Sequence, residues 1–507
     1  MKSHIASDYD LCIIGGGING AGIARDAAGR GLSVLLVEAQ DLANATSSSS
    51  TKLIHGGLRY LEQYEFRLVR ESLKERSVLM KAAPHIIWPM KFVLPHDYNI
   101  RPLWMVKIGL SLYDFLGGAG KNVFEKSCSF AFKDHILGEP IQESYTQGFS
   151  YSDCWVDDAR LVVLNAVDAK LRGADVLTRT ACIYAEPSRD KKSWVLTMRN
   201  TNSEEDFLVT ADCVVNATGP WVQSFLESSC ITGGKKPSPT IRMVKGSHIV
   251  VPKMYEGDQA YIVQLDDKRI IFVIPYEDHY SLIGTTEQDY EGDPQGASLD
   301  LEEQNYLLAA VNASFRKQLS PEEVVWAYSG VRPLVEDGEK NSKDVTRDYY
   351  LHSDIENGPM MLSVFGGKIT TYRKLSEQAA NIVSKHLGKK NKGWTAGVPL
   401  PGGDIMRPSF EDFLEEQKQN YRRLPPEMII RCAHAYGTRM HEFLSTSQTV
   451  EELGQHYGDH VYEAEVRYLI ESEFAQTADD ILWRRTKLGL RVSAETYQNL
   501  ENALSVM

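Results

Sequence analysis

The N-terminal residues alternate between apolar runs and a glycine-rich turn in an order that predicts three consecutive elements. Residues 10–14 (DLCII) form a short apolar run typical of a buried strand. Residues 21–29 are rich in Ala and Gly and predict a helix, and residues 32–37 predict a second strand that ends at Glu38. Together these segments form a βαβ unit of about thirty residues, the length that a dinucleotide-binding motif requires.

Further along the chain, hydrophobic periodicity predicts a long helix, an antiparallel sheet and a helical C-terminal region. Residues 66–83 carry apolar side chains on one stripe, and Pro84 ends the helix. Residues 261–286 alternate apolar and polar positions with turn signals between them, which predicts an antiparallel meander. Lys, Gly and Pro dominate residues 388–404, which we interpret as a linker, and residues 409–507 have mostly the pattern of amphipathic helices.

Three glycines between the first strand and the helix, Gly15, Gly17 and Gly20, have the GxGxxG spacing. The first allows a tight turn, the second lets the backbone approach a pyrophosphate, and the third allows close packing of helix on strand. A pyrophosphate would then meet the helix N-terminus, where free N–H groups favour an anion. Glu38 can accept hydrogen bonds from a ribose 2′-OH and would repel a 2′-phosphate. The pattern therefore predicts a dinucleotide site for NAD or FAD rather than for NADP.

Two later segments, residues 212–220 and 364–371, are candidates for the same site. The first is a strand that ends in small residues, as expected of a return strand packed against a nucleotide, although an ordinary strand and turn would have the same pattern. The second places two glycines before a helical segment, where backbone donors could face the pyrimidine end of a flavin; a plain helix cap is the alternative. The candidate cofactor-binding residues in these segments are Thr218, Gly219, Gly366, Gly367 and Lys368.

Charge and composition exclude several classes of protein. The 507 residues include 55 Lys and Arg against 68 Asp and Glu, and a net charge of −13 argues against a nucleic-acid binder. No run of 18 apolar residues is present, and the polar N-terminus does not resemble a signal peptide. The seven cysteines are scattered without CxxC spacing, so we expect a reducing, cytosolic environment and neither a metal site nor a disulfide framework.

Seven motifs taken together carry a resemblance to a known family. In chain order they are GGGINGAGIARDAAGRGLSVLLVEAQDLA, TKLIHGGLRYLEQYEFRLVRE, YSDCWVDDARL, VNATGPWV, KGSHIVVP, YSGVRPL and FGGKITTYRKL. The sequence closely resembles the FAD-dependent glycerol-3-phosphate dehydrogenases of the aerobic, respiratory type. The resemblance extends over residues 8–385 and continues in residues 477–490 (TADDILWRRTKLGL).

The resemblance implies an α/β fold with three parts. A two-dinucleotide-binding, DAO-like FAD domain is expected from residues 8–80, 150–220 and 325–385. A substrate domain built on an antiparallel sheet is expected from residues 81–149 and 221–324, and a helical C-terminal domain from residues 405–507. For this last domain a regulatory, a dimer-forming and a purely structural role are all open, and a homodimer is one assembly to be tested.

The resemblance also implies a reaction: oxidation of sn-glycerol 3-phosphate to dihydroxyacetone phosphate, with a hydride passing from C2 to flavin N5 and the electrons then passing to a membrane quinone. A phosphate dianion needs cations, and arginine binds it with bidentate geometry. The substrate-binding residues implied by the family pattern, with Arg347 as a further candidate, are Arg59, Tyr60, Arg332, Arg347 and Lys368. Taken singly, each of these cations could instead be a surface salt-bridge partner.

Two residues compete for the central catalytic role. His248 has the titration range of a general base for the C2 hydroxyl, although a single histidine is more often structural. Arg332, held between Gly330 and Pro333, could polarise the alkoxide instead. His55 is a candidate for a covalent flavin link, but relatives of this type usually hold FAD noncovalently.

Three alternative functions are open, and the predicted electron acceptor implies a location in the cell. The protein could be an oxidase that uses oxygen, an amine or amino-acid oxidase of the same fold, or a flavin-binding interaction module without turnover. The cations suited to phosphate disfavour the last two. A quinone acceptor implies peripheral attachment to the cytoplasmic membrane, and the candidate segment is residues 101–116, which combines aromatic and aliphatic side chains with Arg101 and Lys107. A buried helix is the alternative for this segment.

Overall fold

A computed structural model describes residues 7–62, 64–97, 100–119, 123–228, 239–265, 269–336, 349–355, 358–390 and 392–507, without the side chains of Arg59 and Glu336. The strands of this part of the chain are β1 (Asp8–Ile14), β2 (Val34–Val37), β3 (Leu53–Ile54), β4 (Ile87–Pro95), β5 (Cys128–Ala131), β6 (Gln147–Val156), β7 (Asp175–Leu177), β8 (Thr180–Pro187), β9 (Trp194–Asn200), β10 (Asp206–Asn216), β11 (Thr240–Pro252), β12 (Ala260–Gln264), β13 (Ile270–Tyr276), β14 (Tyr280–Gly284), β15 (Gln288–Asp289), β16 (Trp326–Glu336), β17 (Tyr350–Asp354), β18 (Met361–Phe365), β19 (His456–Gly458) and β20 (Val461–Tyr462). The α-helices are α1 (Ile18–Gly29), α2 (Phe66–Ala82), α3 (Leu103–Gly117), α4 (Asp158–Leu171), α5 (Val222–Ser228), α6 (Leu301–Ser314), α7 (Tyr372–His386), α8 (Phe410–Asn420), α9 (Pro426–Tyr436), α10 (His441–Leu444), α11 (Glu463–Glu473) and α12 (Ala494–Leu504).

The first sheet has the strand order β17-β18-β10-β1-β2-β7, with β9 paired to β10 and β8 paired to β9. β1 lies parallel to both β2 and β10, and β18 lies parallel to β10. The predicted βαβ unit and the predicted return strand are therefore confirmed as neighbours at the centre of one sheet. All four of these strands end at the same edge, because parallel strands have their carboxyl ends together.

Small residues on α1 allow this helix to pack closely against α7. A Cβ atom on Gly22 would lie 2.5 Å from the Ser376 hydroxyl of α7. Ile23, Ala24 and Ala27 of the same helix are fully buried. This close packing sets the N-terminus of α1 directly behind the glycine-rich turn that follows β1.

The second sheet has the order β15-β11-β14-β13-β12-β4-β6-β3, with β16 paired to β11 and β5 paired to β6. Its pairs are antiparallel except for β12 with β4, and the predicted meander is confirmed as β12, β13 and β14. The strand pairing differs from the predicted domain division in three places, since β3, β6 and β16 belong to this sheet and not to the first. β16 pairs with β11 from Trp326 to Glu336, and this antiparallel pairing carries its side chains to the border between the two sheets.

The C-terminal region consists mainly of α8 to α12, as its hydrophobic pattern predicts, together with the short β19–β20 hairpin. It has a core of its own, in which Tyr436, Met440, Leu469 and Leu482 are buried. Across the described ranges of the chain, we find no helix that is both long and apolar enough to cross a membrane.

Candidate active site

One cavity of about 780 Å³ lies where the carboxyl ends of β1, β2, β10 and β18 meet the second sheet. It brings together residues that are distant in sequence but were predicted to share a site. The predicted residues that line it are Gly15, Gly17, Glu38, His55, Thr218, Gly219, His248, Arg332, Gly366, Gly367 and Lys368. The cavity is long enough to combine the glycine-rich turn at one side with the cations and the histidine at the other.

The glycine-rich turn has no space for side chains. Gly15 has a φ of +109°, and a Cβ atom there would lie 2.5 Å from the Ala217 carbonyl oxygen of the return strand. Gly20, in the first turn of α1, packs its Cα directly against the Gly15 carbonyl oxygen. At Gly17 a Cβ atom would approach the Ser47 hydroxyl to 3.2 Å. The turn therefore brings bare backbone to the cavity wall where α1 begins, and a helix N-terminus favours an anion.

Glu38 is held in the cavity wall by backbone donors. Its carboxylate accepts hydrogen bonds from the N–H groups of Gly16 at 2.6 Å and of Gln40 at 2.9 Å. Burial raises the pKa of this carboxyl above its ordinary value, and the two N–H donors oppose that shift. Each carboxylate oxygen can accept a second hydrogen bond, so the position suits the predicted contact with a ribose hydroxyl.

Two buried polar atoms support the fit of a dinucleotide to this cavity. Within the described residues, neither Asn19 Oδ1 nor Lys368 Nζ has a hydrogen-bond partner. Asn19 is on the first turn of α1, and its amide nitrogen donates to the Gly366 carbonyl at 3.3 Å. Buried polar atoms without protein partners are rare, and a polar ligand bound beside them would supply the missing hydrogen bonds. The residues present therefore fit the group that the sequence predicts.

Arg332 occupies the border between the cavity and the second sheet. It lies on β16 opposite Val244 of β11, and its Nη2 donates to the Thr286 carbonyl at 3.3 Å. Gly246 provides the space for this guanidinium, since a Cβ atom there would lie 2.7 Å from Arg332 Nη2. The side chain is thus restrained by strand pairing and close packing.

His248 is buried beside Arg332 on β11. Its Nε2 lies 3.0 Å from the Thr51 hydroxyl, and its ring stacks on Tyr328 with the centroids 4.9 Å apart. Burial, together with the charges of Lys52 and Arg332, lowers the pKa of the imidazole well below its ordinary value. His248 is therefore neutral at neutral pH, in the state that can accept a proton.

Lys368 and Tyr60, two of the substrate-binding residues that the resemblance implies, lie together. The ammonium nitrogen of Lys368 lies 4.1 Å from the centre of the Tyr60 ring, within the range of a cation–π interaction. His55 also lines the cavity, and its backbone N–H lies 3.4 Å from the Thr370 hydroxyl. The side chain of Arg59 and all of Arg347 lie outside the described residues.

The sequence analysis missed the role of residues 46–51, a Ser/Thr run that has the composition of a low-complexity segment. Five of its six residues line the cavity, and the Ser47 hydroxyl accepts a hydrogen bond from the N–H of Ile18 at 3.0 Å. The run is anchored at its end by Lys52, whose buried ammonium lies 2.7 Å from Asp158. The position of the run directly between the βαβ unit and the KLIHGG motif was the available signal.

A second feature absent from the sequence analysis is a buried carboxylate behind Arg332. Glu303 of α6 accepts hydrogen bonds from the hydroxyls of Ser247 at 2.9 Å and Thr286 at 2.6 Å. Lys245 lies 3.0 Å from the same carboxylate. The network ties α6 to the strands that carry Arg332 and His248. The spacing of Asp300 and Glu303 is that of a capping box and marks a helix start, but no local signal marked the contacts of Glu303 with the strands, whose residues are distant in sequence.

Comparison with protein families divides the chain into two matched regions. Residues 10–373 match a family model described as FAD dependent oxidoreductase, and residues 394–507 match one described as the C-terminal domain of alpha-glycerophosphate oxidase. The cofactor is therefore FAD, as predicted, and the predicted fold class is confirmed.

Curated relatives match nearly the full length. The aerobic glycerol-3-phosphate dehydrogenase of Escherichia coli is 48% identical, over 96% of this chain and 95% of the relative. The glycerol-3-phosphate dehydrogenase of Pseudomonas aeruginosa is also 48% identical, over 97% and 94%. The D-erythritol 1-phosphate dehydrogenase of Brucella abortus is 49% identical, over 94% of both chains.

Among solved structures, the glycerol-3-phosphate dehydrogenase from Bacillus halodurans complexed with FAD superposes with a TM-score of 0.76 at 26% identity, covering 98% of this chain and 94% of that one. The L-alpha-glycerophosphate oxidase from Mycoplasma pneumoniae has a TM-score of 0.58 at 16% identity, covering 78% and 100%, and shares the fold.

Proposed function

The chain belongs to the family of FAD-dependent oxidoreductases that contains the glycerol-3-phosphate dehydrogenases, and we propose that it oxidises the C2 hydroxyl of sn-glycerol 3-phosphate to the ketone of dihydroxyacetone phosphate. The observation that carries the proposal is that Arg332, Lys368 and His248 line the same cavity as the glycine-rich turn. Bound FAD supplies the two-electron acceptor for the hydride that leaves C2.

Recognition of the phosphate is assigned to the cations of the cavity. Arg332 offers a planar fork suited to two phosphate oxygens, whereas Lys368 offers a compact charge. The buried Nζ of Lys368 has no hydrogen-bond partner among the described residues, so a phosphate oxygen would satisfy it. We assign Arg59 to the same anion on the family pattern, with Arg347 as a further candidate, and Tyr60 to the support of Lys368.

Removal of the hydroxyl proton is assigned to His248. The imidazole is neutral because it is buried beside Lys52 and Arg332, so it can take a proton without first losing one. A phosphate dianion bound to Arg332 would offset part of that positive charge and strengthen the base. The competing assignment makes Arg332 the group that stabilises the alkoxide, with no proton passing to His248.

A membrane quinone is proposed as the electron acceptor, which requires docking at the cytoplasmic surface of the membrane. The α3 helix supports this location, because Trp104, Ile108 and Phe115 are 64%, 60% and 81% exposed. These positions are 4 and 11 residues apart and therefore share one face of the helix. Lys107 on the same helix is exposed and would favour an anionic surface. The opposite face buries Leu110 and Tyr113. Membrane attachment is therefore proposed for the exposed face of α3, and the alternative of a buried helix describes the other face.

Anaerobic mixing of the purified yellow protein with sn-glycerol 3-phosphate tests the reductive half of the reaction. Rapid bleaching of the flavin is expected, and subsequent mixing with a quinone analogue or with oxygen distinguishes a dehydrogenase from an oxidase. An unbleached flavin would contradict the proposed substrate. A colourless protein that cannot be reconstituted with FAD would contradict the cofactor.

D-erythritol 1-phosphate is the second candidate substrate, since a relative named for it is as similar as the glycerol-3-phosphate dehydrogenases. Both compounds join a phosphate to a polyol, and the cations described above would bind either. The ratio of kcat/KM for the two substrates, measured with the same acceptor, decides between them. We expect glycerol 3-phosphate to have the higher value.

A further inference from the structure

Residues 38–47, here called the cofactor loop, form one wall of the FAD cavity. The loop begins at Glu38 and wraps over the glycine-rich turn, where the N–H of Ala43 donates to the Gly16 carbonyl at 3.1 Å. Its last residue, Ser47, accepts the hydrogen bond from Ile18 at the start of α1. The position of this loop therefore determines how Glu38 and the N-terminus of α1 face the cofactor.

Asp41 of the cofactor loop is fully buried and does not line the cavity; its carboxylate faces the C-terminal domain. Its partners are two consecutive arginines of a π-helical turn, Asp480–Arg485. Arg485 donates from Nη1 at 2.6 Å and from Nη2 at 2.8 Å, forming a bidentate pair, and Arg484 Nε donates at 2.5 Å. The side chains of Asp41 and Arg485 are both fully buried.

The same turn contacts the loop along a second path. Asp480 pairs with Arg179 at 2.8 Å, and the backbone N–H of Arg179 donates to the Gln40 carbonyl of the loop at 2.8 Å. Burial and the neighbouring arginines give opposite contributions, and the net effect lowers the pKa of Asp480 to about 2. The Asp480 carboxylate is thus ionised at neutral pH. The C-terminal turn is joined to the cofactor loop directly at Asp41 and, through Arg179, at Gln40.

We propose that the C-terminal domain retains FAD by holding the cofactor loop through the Arg485–Asp41 pair. Arg485 is a positioning residue: it lies behind the loop, and its guanidinium is fixed by the Glu473 carbonyl at 2.8 Å. Without this anchor the loop would lose the buried partner of Asp41, and Glu38 would no longer be held toward the ribose. The inference rests on the assignment of Glu38 to the cofactor and gives the C-terminal domain a role in cofactor binding.

A second buried ion pair joins the same two parts of the chain and provides the matched control. Arg160 of α4 forms a bidentate pair with Glu473 of α11, and both side chains are fully buried. This pair does not involve the cofactor loop, and E473Q changes only the side chain of Glu473, so the backbone carbonyl that holds Arg485 is kept. Replacement of both partners in each pair avoids leaving an unpaired buried charge, which would destabilise the protein by itself.

The experiment compares the double variant D41N/R485M with R160M/E473Q. Release of FAD from each purified holoenzyme is measured by filtration and flavin fluorescence, and the melting temperature is measured in parallel. We expect the FAD dissociation constant to rise on the order of tenfold or more in D41N/R485M, because several charge-assisted bonds on the loop are lost. It should change little in R160M/E473Q even where the melting temperatures fall alike. Activity of D41N/R485M should recover when FAD is added in excess.

Three outcomes would overturn the inference: unchanged FAD affinity in D41N/R485M, equal loss of affinity in both double variants, or lost activity that added FAD does not restore. Should D41N/R485M not fold, R485K keeps the charge but removes the fork, and faster FAD release from this variant than from R160K is the expected result. Failure of the proposed substrate would leave these FAD measurements unaffected, so the two proposals are tested separately.

Discussion

Arg332 donates a hydrogen bond from Nη2 to the backbone carbonyl of Thr286 at 3.3 Å. This contact fixes the guanidinium against the loop that follows β14, at the border of the FAD cavity. The loop is itself restrained, because the Thr286 hydroxyl donates to buried Glu303 and accepts from the N–H of Ser247 at 2.8 Å. A cation held in this way is ready to meet an anionic substrate without first losing side-chain freedom.

The substitution Arg332→Ala should reduce kcat/KM for glycerol 3-phosphate far more than it reduces FAD content. Charge-assisted hydrogen bonds contribute about 1.5–3 kcal/mol each, so a loss on the order of tenfold to a hundredfold is the minimum expected. Arg332→Lys should restore little, because a lysine lacks the planar fork. Stopped-flow reduction of the flavin measures the effect directly.

The control for this prediction is Arg242→Ala. Arg242 lies on β11 of the same sheet, but it pairs with exposed Asp289 and is not part of the cavity wall. Near-normal flavin reduction in the Arg332→Ala variant would remove Arg332 from the active site, and equal losses in both variants would indicate a general effect on the sheet.

A His248→Asn substitution separates the two proposed catalytic roles. If His248 takes the hydroxyl proton, kcat should fall by about 10²–10⁴-fold. Because burial and two cations hold the pKa of His248 well below its ordinary value, the wild-type rate should not decline near pH 6.5 through protonation of this residue. A decline near pH 6 that persists in the variant would come from the second ionisation of the substrate phosphate. A kcat within a few-fold of wild type would favour Arg332 as the alkoxide-stabilising group.

Acid should destabilise the protein through its buried histidines. Burial, with Arg160 and His434 nearby, lowers the pKa of His85 to about 3, whereas an unfolded histidine titrates near 6.5. Between about pH 6.5 and pH 3 the unfolded state therefore binds a proton at His85 that the folded state does not bind. The stability conferred by neutral His85 is complete above about pH 6.5 and falls by ~1.4 kcal/mol for each pH unit below it.

Urea unfolding at pH 7.5, 6.5 and 5.5 measures this dependence. The variant His85→Gln should have a shallower decline between pH 6.5 and 5.5 than the wild type. His279→Gln, which removes an exposed histidine, is the control and should keep the wild-type slope. Identical slopes for all three proteins would show that His85 does not contribute to the pH dependence.

The sequence predicts the cofactor end of the site well because its determinants are local. The turn from Gly15 to Gly20 requires glycine where two backbone segments pack closely together. A Cβ atom on Gly15, for example, would lie 2.5 Å from the Ala217 carbonyl oxygen. Glu38 and the return strand follow from the same topology, since parallel strands end at one edge. Spacing along the chain was therefore enough to bring the turn and Glu38 to one site, whereas the pattern of the return strand was also that of an ordinary strand and turn.

The parts that sequence reasoning missed depend on contacts between distant residues. Asp41 and Arg485 are 444 positions apart, and neither lies in a sequence motif that would indicate the other as its partner. The pairing of β16 with β11 likewise follows from the way the second sheet closes beside the first, which no local pattern specifies. Asp41 and Glu303 are buried charges among the missed residues, and burial is a property of the folded chain.

The exposed face of α3 is predicted to bind anionic membranes. Removing large apolar side chains from water is worth about 1.5–3 kcal/mol for each fully buried residue, so Trp104 and Ile108 together should contribute strongly to partitioning. The double variant Trp104→Glu with Ile108→Glu should therefore lose co-sedimentation with anionic liposomes while its circular dichroism and FAD content are preserved. Leu171 and Leu208 are exposed to a similar extent on other elements, and Glu at both of these positions is the matched control that should still sediment. Unfolding of the α3 variant would show that this face is part of the core, and failure of the unmodified protein to sediment would contradict membrane attachment.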